Sequence, residues 1–207
     1  MSITIILIIL TVAASIYSWN RQDIYQKWMM NPYAVVHKKQ YYRLITSGFI
    51  HNGYVHLGFN MITLYFFGDV IEQIFQYYYG GSGTFYYLLL YFMGMVIADL
   101  PTLYKNRNNP NYNSLGASGA VSAVVFSSIL FNPTAKICLF LPLLCLPGFI
   151  FGILFLAYSY FQGKRMADNI NHDAHLYGAL FGVIFSIIIE PGVIMSFFDQ
   201  VLNYKIF

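Results

Sequence analysis

Charge is what this sequence has least of. Of 207 residues, 11 are Lys or Arg and 8 are Asp or Glu, 9% in all, where a soluble domain typically carries about 25%. The chain is 58% hydrophobic with a mean hydropathy of +0.57, which excludes a domain wetted on every side. A formal net charge of +3, scattered along the chain, excludes a nucleic-acid surface. Cysteine is equally scarce. Cys138 and Cys145 both fall inside an apolar run, so a disulfide framework is not indicated and both are assigned to core packing. No repeat or low-complexity tract is visible.

What the chain has in quantity is long apolar stretches with few or no charges. Bounded by turn signals, they give six expected helices of membrane-spanning character: about 2–18, 54–79, 84–104, 115–131, 136–161 and 172–189. The runs are too long and too evenly apolar for the alternating strands of a barrel. The expected fold is therefore all-α, one polytopic six-helix membrane domain over residues 1–207. The first run resembles a signal peptide in its apolar core, but no basic residue follows Met1 and the run is long enough to span; it is read as the first span. Residues 20–53 mix Arg21, Lys27, Lys38, Lys39 and Arg43 with Trp28, Tyr33, Tyr41 and Tyr42, a composition suited to the headgroup level.

Alternation of direction makes the second, fourth and sixth spans parallel. His56, Ser118 and His175 each stand near the start of one of these, so all three share one depth. Polar groups in a span normally face the bundle interior or water. "HNGYVHLGFN" sets His56 and Asn60 four apart on one helix face, and "HDAHLYGALFG" follows His175 with Gly178 and Gly182. Glycines four apart let helix backbones approach closely, and Gly116, Ser118, Gly119, Ala120, Ser122 and Ala123 answer from the fourth span. Such contact would bring the Ser118 hydroxyl within reach of a His175 ring nitrogen, the arrangement of an activated serine. The Ser118 backbone N–H, with His56 and Asn60, would then serve an oxyanion. Asp173, two residues before His175, lies on another face, so a dyad is expected rather than a triad. A metal site built on His51, His56, His172 and His175 is set aside. There is no His-Glu-x-x-His, and Asn60 would be a poor ligand. Asp69, Glu72 and Asp99 are read as structural or capping groups.

"GASG" opening a span, "HNGYVHLGFN" before it and "AHLYGALFG" after it resemble the rhomboid family of intramembrane serine proteases, of the bacterial six-span type. The resemblance runs over nearly the whole chain, including the large first loop, Arg43 and Glu72. It implies Ser118 as nucleophile, His175 as general base, His56 and Asn60 at the oxyanion site, and Gly116 shaping the turn before Ser118. It further implies a fifth span acting as a side gate, a cap at 162–171, no cofactor or metal, and transmembrane proteins as substrates within a lipid bilayer. Many relatives carry an aromatic residue one turn after the serine, packed on the histidine. Here that position is Ser122, which leaves open what orients His175.

Of the cations, nine lie in loops one, three and five, and only Lys136 and Lys205 lie on the opposite side. That split places the mouth of the site in the cytoplasm, whereas the family pattern places it outside a bacterial inner membrane; the family orientation is favoured. Two other functions stay in view: a catalytically inactive rhomboid-like factor that binds membrane proteins, which should lack Ser118 or His175, and a small transporter, which would favour inverted repeats. Oligomeric state and substrate identity do not follow from the residues.

Overall fold

The computed structural model describes residues 1–139, 144–165 and 170–205. Helix α1 (Ile3–Trp19) buries Thr4, Leu7, Thr11, Ser15 and Ser18, a stripe at spacings of three and four. Its first turn is capped from within and from without. Ser2 accepts the Ile5 amide, while the buried Glu72 carboxylate accepts the Ile3 and Thr4 amides at 2.7 and 2.9 Å and the Thr4 hydroxyl at 2.8 Å. A carboxylate at a helix N-terminus meets unpaired N–H donors and the positive end of the helix dipole. Glu72 is thus the capping group its sequence position suggested.

The long first loop is folded. It contains α2 (Gln22–Trp28), α3 (Pro32–His37), α4 (Arg43–Thr46) and a 3-10 turn at Ser47–Phe49. Arg43 is buried and donates from Nη1 to the Gln26 and Met29 carbonyls, and Thr46 donates to the Trp28 carbonyl. These bonds join α4 to the end of α2.

Helices α5 (Tyr54–Tyr79) and α6 (Gly83–Asn106) form an antiparallel pair around a 3-10 turn at Gly80–Ser82. Helix α7 (Ser118–Phe131) lies at the centre, packed against α5 and α6; every residue after Ser118 is buried. It begins three residues later than expected, because Leu115, Gly116 and Ala117 belong to the connection. A row of outward apolar residues on α5, Val55, Phe59, Ile62 and Phe66, is 61–87% exposed. A contiguous apolar face of this kind suits lipid rather than water. Among the described residues, two stretches are long and apolar enough to cross a membrane: Tyr54–Asn106, which holds α5 and α6, and His172–Ile189. Helices α1 and α7 are apolar but shorter, at 17 and 14 residues.

The expected fifth span, 136–161, is corrected. Its first part is an antiparallel hairpin of β1 (Lys136–Leu139) and β2 (Leu144–Pro147), and only then does α8 (Gly148–Arg165) begin. Pro142 and Pro147 in the sequence already argue against a continuous helix there. The assignment of the cysteines to core packing is corrected too. Cys138 stands opposite Cys145 across the ladder, Cα–Cα 3.9 Å, and the two are disulfide-bonded. Helix α9 (His172–Ile189) matches the sixth expected span, and a helix the sequence reading did not foresee, α10 (Val193–Leu202), follows Pro191-Gly192. Gln200 of α10 donates to the Phe131 carbonyl at the end of α7.

Alkylation of the folded chain is expected to leave both cysteines unmodified until a reductant is added, then to modify two; mass spectrometry reads this directly. Replacing both by serine should lower stability by about 2 kcal/mol, since so short a loop restricts the unfolded chain only modestly.

Candidate active site

Helices α7 and α9 meet backbone to backbone. A Cβ added at Gly178 would collide with the Gly119 carbonyl oxygen, and one at Gly182 would lie 2.8 Å from the Ala123 carbonyl carbon. One turn further, the Ser127 and Ser186 hydroxyls share a hydrogen bond at 2.7 Å. The three pairs keep a constant offset, so the helices run parallel and in register. On that register Ser118 is level with Tyr177, two residues and about 3 Å of rise from His175. His175 is three residues before Gly178 and so shares its broad face. The glycine spacing read from the sequence does what close packing in a bilayer requires.

The segment leading into Ser118 is pinned residue by residue. Ser114 exchanges two backbone bonds with Met30, at 2.9 and 3.0 Å. The Gly116 amide donates to the Ser47 carbonyl at 2.9 Å, and the Ala117 amide donates to His51 Nε2 at 3.2 Å. His51 is fully buried. Because its Nε2 accepts, the proton sits on Nδ1, which faces Ser15 Oγ at 3.1 Å; the serine in turn donates to the Phe49 carbonyl. The Trp19 indole holds the His51 carbonyl at 2.7 Å. Burial and the adjacent His56 push the His51 pKa down from 6.5 to about 3, which keeps the ring neutral and able to accept. His51 is thus a supporting residue: through it, helix α1 and loop one hold the residue before Ser118.

Gly116 adopts φ +115°, a region side chains other than glycine rarely enter. A Cβ there would also stand 2.6 Å from His56 Cε1 and 2.9 Å from Nε2. His56 thus lies directly on the turn before Ser118. Asn60 is buried and donates one amide proton back to the His56 carbonyl at 3.0 Å, leaving its second proton for another acceptor. Ser118 opens α7, so its N–H and those of Gly119 and Ala120 have no intrahelical acceptor.

On the α9 side, Asn171 is the N-cap. Its Oδ1 accepts the Ala174 amide and the Thr102 hydroxyl, and its Nδ2 reaches Asp99 at 3.4 Å. Lys105 pairs with Asp173 at 2.6 Å. Both contacts fix the start of α9 against α6. A cavity of about 20 Å³, room for a single water, is lined by Ser47, Asp99, Gly116, Ser118 and Asn171 among others. The His175 ring stacks on Phe155 of α8, with centroids 6.1 Å apart and planes 30° apart, and meets His172 edge-on at 5.8 Å. The structure therefore gathers Ser118 and Gly116 at one cavity, sets His56 against its entry turn with Asn60 one turn further along the same helix, and carries His175 on the helix packed beside it. Sequence reasoning missed Asn171 and Phe155. An asparagine just before a helical run is a recognisable N-cap signal; for Phe155 no sequence signal existed.

Comparison with known proteins identifies the family. The rhomboid domain family matches residues 38–191. RHOMBOID-like protein 12, mitochondrial, of Arabidopsis thaliana is 30% identical over 173 residues, covering 77% of this chain and 51% of that protein. Rhomboid-like protein 11, chloroplastic, of the same plant is 31% identical over 152 residues, 70% of this chain and 51% of the relative. Rhomboid protein 1, mitochondrial, of Saccharomyces cerevisiae is 30% identical over 159 residues, 72% and 42% respectively. The chain belongs to the rhomboid family and spans about half the length of these curated relatives. Their names are mitochondrial and chloroplastic, and they lend no support to the expected bacterial inner membrane.

Two outcomes follow. Stability should be full above about pH 6.5 and fall as pH drops toward 3, because the unfolded His51 takes up a proton the folded one refuses; thermal melting of wild type against His51→Gln should show that slope reduced in the variant. Gly178→Val should force α7 from α9 and lower stability by about 1–3 kcal/mol, with a matching drop in melting temperature.

Proposed function

We propose that the chain is an intramembrane serine endopeptidase that cleaves transmembrane segments of other proteins with a Ser118–His175 dyad in a six-span bundle. The observation that carries this reading is the backbone contact of α7 with α9, whose register sets Ser118 two residues, about 3 Å of rise, from the level of His175. Ser118 Oγ attacks the scissile carbonyl while His175 accepts its proton, then returns it to the leaving amine. The tetrahedral oxyanion is met by the Ser118 amide in its uncapped first turn, with His56 and the remaining Asn60 proton as further donors. The polar cavity beside Ser118 supports the reading, since the acyl-enzyme needs water at this depth.

A substrate helix must unwind before its carbonyl can be attacked, because a helical carbonyl is already bonded. Helix-weakening Gly or Pro and a small residue before the scissile bond suit this requirement. The α8 helix fits the side-gate role, and the 162–171 cap lies partly outside the described residues. Among the described residues a transporter reading has no feature of its own, and an inactive binding factor would have no use for both Ser118 and His175.

The test is cleavage of a reporter span in liposomes together with labelling by a serine-directed phosphonate. Ser118→Ala and His175→Ala should each abolish cleavage with melting temperature unchanged, and Ser118→Ala should abolish labelling. Asn60→Ala should slow cleavage roughly tenfold to a thousandfold. Labelling that survives Ser118→Ala would refute the nucleophile.

A further inference from the structure

A histidine that takes a proton from serine must present one ring nitrogen in a fixed direction. One turn beyond Ser118 stands Ser122, too small to brace a ring. The described ring that lies flat on the imidazole comes instead from a different helix: Phe155 of α8, at 6.1 Å and 30°. Phe155 is itself held by Phe126 of α7 at 5.5 Å and Phe151 of α8 at 5.9 Å. The helix that carries it is lightly seated. Of its 18 residues only Gly148, Gly152 and Ser159 are buried, against 13 of 14 in α7. A face of Ile153, Leu154, Tyr158 and Phe161, 53–65% exposed, points outward.

We propose that Phe155 is a positioning residue for His175, so that the seating of α8 against α7 sets whether the imidazole is aligned for catalysis. The proposal rests on the Ser118–His175 reading. Stacked aromatic pairs prefer offset parallel planes and resist rotation of either ring, which is the restraint a general base requires. Placing that restraint on the least buried long helix, rather than on the helix of the nucleophile, makes alignment conditional: the base is held when α8 is docked and released when it moves outward. Phe161, on the outward face of the same helix and outside this cluster, serves as an internal control.

The test measures the rate at which a serine-directed phosphonate labels Ser118 in the full chain, since this reports activation of the hydroxyl without substrate docking. Phe155→Leu, which keeps apolar bulk but removes the ring, should slow labelling about two- to tenfold. Phe155→Tyr should restore it to within about twofold of wild type, and Phe161→Leu should leave it unchanged; melting temperatures identify any variant that fails to fold. In the cleavage assay the loss in Phe155→Leu should appear in kcat, with KM unaltered. Wild-type labelling rates in Phe155→Leu, equal slowing in Phe161→Leu, or no recovery in Phe155→Tyr would each overturn the proposal alone. A wild-type chain that does not label at Ser118 at all would overturn the dyad reading and the proposal together.

Discussion

Two carbonyl oxygens occupy the space where side chains would stand at 178 and 182, and the rest of the molecule is arranged around that fact. Helices in lipid gain nothing from hiding apolar surface from one another, so association has to come from close van der Waals contact and a few polar bonds. Gly119 against Gly178, Ala123 against Gly182 and the Ser127–Ser186 hydroxyl pair supply both on a single line. Because the line is straight and the register constant, the start of α7 arrives within about 3 Å of the height of His175 on α9. The site stands at that height.

The buried polar groups serve the same end. Glu72 joins α5 to the start of α1; α1 in turn positions His51 through Ser15 and Trp19; His51 holds Ala117; and Ala117 precedes Ser118. Each link satisfies a donor or acceptor that would otherwise be stranded in an apolar interior. Loop one, which looks from its composition like a raft at the lipid headgroups, also has an inward task. Met30 and Ser47 grip Ser114 and Gly116, so the entry to α7 is set by the loop's backbone rather than by the helix alone.

Much of this could be read beforehand, and the reasons it could are physical. Uncharged runs locate helices α5 and α9 to the residue because their ends coincide with Gly, Asn or Glu-Pro boundaries. The glycine spacing on α9 announces a close partner, and His56, Asn60, Gly116, Ser118 and His175 stand out as polar or conformationally special residues in an oily context. The hairpin at 136–147 was misread because a continuous apolar run has no period to distinguish strand from helix; Pro142 and Pro147 were the available warning. The disulfide was hidden by the same error, since a helix would place residues 138 and 145 two turns apart, whereas a hairpin sets them face to face. Phe155 against His175 was never legible, because a contact between helices 20 residues apart in sequence is decided by packing.

The base of α8 is a fulcrum. Gly148 and Phe149 donate to the carbonyls of Ala135 and Pro133, and the cystine-closed hairpin stiffens the chain just ahead of them. Phe155 sits about 10 Å up this lever and Arg165 about 25 Å, at 1.5 Å per residue. A tilt of about 10° around the anchored end therefore shifts the phenyl ring by about 2 Å while the far end swings about 4 Å. The helix is geared: the displacement at its top is about twice that of the ring stacked on His175, so a small shift at the stack accompanies a wider parting at the far end.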